Sequence, residues 1–175
     1  MQLLSHGLAS VLIYRFLDVI FPKLFPPANT HWFLIAFIFG MVPDIDGLFA
    51  KDFSNHHKSP MHWPFLWLSL LIILFLIRHL LNKFLFSIIL LFLILIIIHI
   101  GLDYVAARTA GIQLLFPFSK KEMSLFPLHK SFGHFKPNKM TRKELIKYLN
   151  NYIKNKPLFL FELFIILTGL LTWII

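Results

Sequence analysis

Residues 84–102 read FLFSIILLFLILIIIHIGL, nineteen positions without a formally charged side chain. At 1.5 Å per residue a helix of that length crosses the roughly 30 Å hydrocarbon layer of a bilayer. The rest of the chain agrees with it. Of 175 residues, 58% are hydrophobic and 14% charged, against roughly 25% charged in soluble domains, and mean hydropathy is +0.75. The composition excludes an ordinary soluble domain and predicts an all-α, polytopic membrane bundle forming a single domain over residues 1–175.

Four further apolar segments flank this stretch. Met1 to Ile20 has its first basic residue, Arg15, deep in the apolar run, which is not the layout of a cleaved signal peptide, so the segment is expected to remain. Its polar residues Gln2, His6, Ser10, Tyr14 and Asp18 recur every fourth position. On a 3.6-residue helix they drift over about 160°, a stripe that should face protein and not lipid. Pro22, Pro26 and Pro27 end the helix. Ala28 to Val42 is 15 residues long and covers only about 22 Å as a helix, so whether it fully spans is open. Pro64 to Ile77 reads as a third crossing, extended to Leu81 if Arg78 and His79 reach the interface. Pro157 to Ile175 is the fifth, with Glu162 its single charge. The expectation is four to five hydrophobic helices plus one amphipathic basic helix.

That basic helix belongs to the segment 103–156. Thr141-Arg142-Lys143-Glu144 has the form of a capping box, with Met140 and Leu145 at the staple positions. Beyond it Leu145, Ile146, Leu149, Tyr152 and Ile153 line one side, while Lys143, Lys147 and Lys154 project elsewhere, as in a helix lying on an anionic membrane surface.

With 17 Lys and Arg against 8 Asp and Glu the net charge is +9. Distributed over alternating segments, residues 43–61 hold two basic residues and 103–156 hold eleven, while the opposite side has Lys23, Arg78 and Lys83. Because Lys and Arg concentrate in cytoplasmic loops, the N-terminus and the basic loop 103–156 are expected inside. Anionic headgroups account for the surplus, and no nucleic-acid recognition pattern is present. With no cysteine, disulfides, thiolate metal sites and cysteine nucleophiles are excluded.

Charged and imidazole groups at the hydrocarbon are costly and invite a functional explanation. On this topology His6, the pair Asp44 and Asp46, the pair His57 and His62, and the pair His99 and Asp103 all fall at one membrane face. His99 and Asp103 are spaced i, i+4, with Cβ atoms roughly 6 Å apart, so both can ligate one ion or one can orient the other. A carboxylate-held histidine or buried ion pair has the same spacing. Pro43 and Gly47 favour a turn in which Asp44 and Asp46 can converge on a cation, although solvated or capping aspartates fit equally. His57 and His62 would converge only across a loop-to-helix junction. His31, His56 and His79 read as interfacial or packed, and His129 and His134 either join the site or flank it.

Imidazoles with carboxylates suit a divalent metal, zinc first and manganese or iron next, and more than four candidates permit two ions. No Gly-x-Ser-x-Gly, phosphate-binding glycine loop or His-Glu-x-x-His occurs. Metal-activated water is then the nucleophile if the protein is an enzyme.

The succession Ser5-His6, Val42-Pro43-Asp44-Ile45-Asp46, His57-Lys58-Ser59-Pro60-Met61-His62 and His99-Ile100-Gly101-Leu102-Asp103, followed by Gly111 and Leu114 to Ser119, resembles the YdjM-like, or LexA-binding, inner-membrane family of predicted metal-dependent hydrolases. The resemblance covers about residues 1–128. It implies a metal cluster of His6, Asp44, Asp46, His57, His62, His99 and Asp103; within that set Asp46 and His62 read as catalytic as well, Asp46 as ligand or general base. By the family's distant similarity to zinc-dependent phospholipase C and S1/P1 nucleases it further implies a phosphoester substrate, and a site at the membrane face suits a lipid-like ester. The chain departs from the pattern at Lys58, where an arginine is usual, at Met61-His62-Trp63, which lacks the usual hydroxyls, and in a longer stretch from Asp103 to Gly111. Two other functions fit the sequence: a membrane scaffold recruiting a cytoplasmic protein through the basic loop, and a small ion transporter.

Overall fold

The computed structural model describes residues 3–48, 53–106, 110–126 and 141–174. Six α-helices account for most of them: α1 (Leu3–Ile20), α2 (Thr30–Met41), α3 (Pro64–Leu76), α4 (Lys83–Ala106), α5 (Arg142–Lys154) and α6 (Lys156–Ile174). Three of these, α1, α4 and α6, are long and apolar enough to cross a membrane. Among the described residues there is no strand, only an isolated antiparallel bridge between Ile112 and Met123.

The centre of the bundle is α4. Its buried residues Phe86, Leu90, Leu93, Ile96, Ile100 and Asp103 recur at three- and four-residue steps, the stripe a helix presents to protein. Against it pack α1, α2 and α3, and α6 packs on α1. The polar stripe of α1 faces inward as its spacing predicts: His6, Ser10 and Tyr14 are buried, and the Tyr14 hydroxyl donates to the Pro26 carbonyl at 2.6 Å. Asp18, further along, is half-buried and pairs with Arg15 at 3.2 Å. Gln2 lies outside the described residues.

Two of the apolar segments are short. The α2 helix has 12 residues, starting where the Asn29 side chain accepts from the Trp32 N–H, so it covers about 18 Å. The third segment ends earlier than its hydropathy suggests: α3 stops at Leu76 and a 3₁₀ turn follows over Arg78–Leu80. There the Arg78 guanidinium lies over the Phe86 ring at 5.3 Å, and the Asn82 side chain accepts from the Leu85 N–H, capping α4. The cation and the cap turn the chain back before Leu81. The two short helices flank the segment 42–62, whose described residues form three 3₁₀ segments, Val42–Leu48, Phe53–Lys58 and Pro60–His62.

The α5 helix begins directly after Thr141, at the position the capping pattern assigns. Met140 and the side chains of Glu144 and Leu145 lie outside what is described, as do His129 and His134. Tyr152 of α5 is buried and its hydroxyl donates to Glu162 of α6, which is itself 1% exposed. The single acidic residue of α6 thereby ties the basic helix to the bundle. Tyr152→Phe should weaken that tie by about 1–3 kcal/mol, the range for a hydrogen bond involving a buried acidic group, and speed limited proteolysis within α5. Unchanged cleavage would show that α5 is held by other contacts.

Candidate metal centre

Local geometry places the donors before any ion is considered. His99 and Asp103 sit one turn apart near the C-terminal end of α4, and His6 lies near the N-terminal end of α1. Asp44 and Asp46 follow α2 after Pro43 has ended it, and His56, His57 and His62 come from the two 3₁₀ segments that precede α3. All four sequence segments meet at the same end of the bundle.

Asp103, 0% exposed, is the hub. Its Oδ1 accepts from His6 Nε2 at 2.9 Å, and its Oδ2 faces the Nε2 atoms of His99, His57 and His62 at 3.1, 3.5 and 3.5 Å. Asp44 Oδ1 accepts from His56 Nε2 at 3.2 Å and faces the Nε2 of His99 at 3.5 Å and of His62 at 3.7 Å. One group of ligand atoms, from Asp44, His62, His99 and Asp103, lies entirely within 4.8 Å of one another, and a second is formed by His56, His57 and His62.

The imidazoles are oriented from behind. His99 Nδ1 donates to the Gly40 carbonyl at 2.7 Å, and His57 Nδ1 donates to the Ala110 carbonyl at 3.1 Å. With Nδ1 committed as a donor, Nε2 carries the lone pair, as on a metal-ligating histidine whose other N–H is held by the protein. The Nε2 atoms of His62 and His99 are buried without a hydrogen-bond partner, a costly state unless something positive fills the space between them. These residues fit a divalent ion.

Asp46 and His6 stand at the margin of the cluster. Asp46 Oδ2 accepts from Ser59 Oγ and faces His62 Nδ1 at 3.5 Å. His6 touches the outer oxygen of Asp103 and stacks on the His99 ring at 3.7 Å, bracing both from the α1 side. His56, read from the sequence as interfacial or packed, is buried against Asp44, with its ring centroid 4.2 Å from that of His57. Its clue was membership of the same short loop as His57. His31 and His79 are exposed.

The electrostatics of the loop groups fit a cation-seeking site. Burial alone would raise Asp44, but His56, His62 and His99 hold it well below the usual carboxylate range. Asp46 is likewise lowered, His62 and Ser59 outweighing burial. Burial pushes His57 down to about 3 against the pull of Asp103, keeping it a neutral donor. For His62 burial opposes charge, but Asp103, Asp44 and Asp46 lift it to about 11. The three carboxylates thus favour a proton on His62, which an ion ligated by that ring would have to displace.

The sequence signature of the family described as YdjM inner membrane protein matches residues 1–175, extending the resemblance past residue 128 to the whole chain. No curated protein and no solved structure matches.

Proposed function

The chain belongs to the YdjM inner membrane protein family, and on that premise we propose that it is a membrane-embedded, metal-dependent hydrolase of an ester or phosphoester. The observation that carries this reading is the convergence of Asp44, His62, His99 and Asp103, with ligand atoms within 4.8 Å and His99 anchored through Nδ1. Neutral imidazoles with carboxylates suit zinc, with manganese or iron as neighbours in preference. When bound, such an ion supplies a Lewis acid for an ester oxygen and brings the pKa of a water toward about 7.

The chain's own residues divide the remaining work. Asp44, His57, His62, His99 and Asp103 hold the ion, and with His56 the donor set reaches six, more than the four ligands of a single tetrahedral ion and enough to allow a second. Asp46 keeps one oxygen on Ser59 and His62, while its buried Oδ1 makes no protein hydrogen bond. That leaves Oδ1 as the acceptor for a proton from the attacking water, with His62 alongside. His6 fixes the plane of the Asp103 carboxylate.

The Lys and Arg distribution supports a cytoplasmic N-terminus and, with it, a centre at the cytoplasmic face. On that side α5 exposes Ile146, Leu149 and Ile153 beside its lysines, the arrangement of a helix resting on anionic lipid.

Protein purified without chelator should carry a divalent transition metal by elemental analysis. EDTA should lower its Tm, and readded zinc should restore it, the loaded protein gaining about 3–4 kcal/mol at several hundred times Kd. A metal-free preparation whose Tm ignores zinc, manganese and iron would overturn the proposal.

A further inference from the structure

Residues 110–126 return to the bundle beside the metal centre and are held there at several points. Ile112 and Met123 exchange backbone hydrogen bonds at 3.0 and 2.9 Å, and the Leu125 N–H donates to the Tyr104 carbonyl at 2.8 Å. Gly111 lies so close to the Met123 backbone that a Cβ would stand 2.8 Å from its carbonyl carbon. Lys58 pairs with Glu122 at 2.9 Å, and the Ala110 carbonyl holds His57.

What this frame carries outward is apolar. Phe118 is 81% and Leu115 55% exposed, more than a lone surface hydrophobe at the edge of a site needs to be. Phe116 stacks on Trp63 at 3.6 Å, and Phe118 meets Phe65 edge-on at 5.6 Å. Phe65 in turn heads the row Phe65, Leu68, Ile72 and Leu76, all exposed along α3 at three- and four-residue steps. The loop patch is therefore continuous with the outward face of an apolar bundle helix, the surface that lipid covers.

The same patch adjoins the least buried members of the centre. Trp63 Nε1 donates to the Lys58 carbonyl at 3.1 Å, and Lys58 is flanked in sequence by His57 and by Ser59, the partner of Asp46. His57 and Asp46 have the most exposed side chains of the clustered histidines and acids, at 11% and 19%. Lys58, Lys120 and Lys121 are exposed around this edge.

We infer that Leu115 to Phe118, with Trp63 and Phe65, form a ledge seated in the lipid leaflet, and that the centre draws from it an anionic amphiphile. The apolar chain lies along the aromatic ledge and α3, and the headgroup sits beside His57 and Asp46, taking the Lys58 ammonium in place of Glu122. Trp and Tyr favour this depth in membranes, where an amphipathic ring meets the headgroup layer. The substrate part of the inference rests on the hydrolase reading; the seating of the ledge does not.

Since the chain has no cysteine, Phe118→Cys can be nitroxide-labelled in the full chain and reconstituted into vesicles of phosphatidylcholine and phosphatidylglycerol in equal parts. Ile72→Cys gives the lipid reference and Lys120→Cys the aqueous one. The label at 118 should collide with oxygen several-fold more than with a water-soluble nickel chelate, as at 72 and opposite to 120. Nickel access equal to that at 120, or spin coupling to a second copy in place of lipid contact, overturns the ledge. Spin-labelled phosphatidylglycerol should associate several-fold more than phosphatidylcholine, and Lys58→Gln should lower that preference measurably, the α5 lysines keeping the remainder; equal selectivity in both proteins overturns the headgroup assignment. Metal content of the same samples separates the two readings, because a lipid-seated ledge on a metal-free protein refutes hydrolysis alone.

Discussion

If the centre holds a divalent ion as proposed, Asp103→Asn should strip it, taking the metal content of the purified protein from near stoichiometric to background. The substitution keeps the shape of the side chain and removes its charge, while one carboxylate oxygen becomes an NH2 group that can only donate and cannot ligate a cation. Changes in residues that only support a ligand cost about 10–100-fold in metal affinity. Asp103 faces His6, His57, His62 and His99 together, so the loss should exceed about 100-fold. His31→Ala, at an exposed site, should leave the metal in place. Stability in chelator discriminates a cation site from an ion pair. Were Asp103 only a structural partner of histidines, its neutral variant would lose about 3–5 kcal/mol, as when one half of a buried pair is removed. If its role is to hold a cation beside Asp44, the chelated variant is at least as stable as the chelated wild type, since one of two crowded carboxylates has been neutralised. Equal metal content in variant and wild type would remove the basis for the centre.

Much of the site was legible because it depends on local geometry. The i, i+4 spacing of His99 and Asp103 fixes them on one helical face whatever the helix packs against, and the inward stripe of α1 places His6 on the bundle side. That four distant segments share one end follows from alternation of apolar runs, which the helices respect even though α2 and α3 are short. What the residues could not reveal depends on tertiary approach. The Gly40 and Ala110 carbonyls that hold His99 and His57 are backbone groups, available at every position and selected only by packing. His56 was hidden beside His57, because neighbours on one turn ordinarily diverge, and only the 3₁₀ path turns both rings toward Asp44 and His62. The end of α3 at Leu76 was hidden for a related reason: Leu80 and Leu81 continue the apolar run, and the stop comes from Arg78 finding the Phe86 ring.

Gly40→Ala should damage the same centre from a residue that carries no functional side chain. Gly40 is where α2 crosses α1 most closely: a Cβ there would lie 2.6 Å from Ser10 Cβ and 2.9 Å from the His6 carbonyl, and neither can rotate away, as one is bonded directly to backbone and the other is backbone. The helices must separate by several tenths of an ångström or more. Overpacking of this kind costs about 1–3 kcal/mol, a sizeable share of the 5–15 kcal/mol typical of folded domains. The displacement has a chemical consequence as well. The carbonyl of Gly40 accepts from His99 Nδ1 at 2.7 Å, and His6 on the opposing helix braces both His99 and Asp103, so parting α1 from α2 moves the support of two ligands at once. Metal affinity should therefore fall by about 10–100-fold, the cost of disturbing such supports, alongside the lower Tm. Adding Ser10→Gly removes the side-chain half of the clash and leaves the His6 carbonyl half, so the double variant should regain part, and only part, of both stability and metal. Full metal retention in Gly40→Ala despite a lowered Tm would mean that His99 is held by something other than the α2 carbonyl.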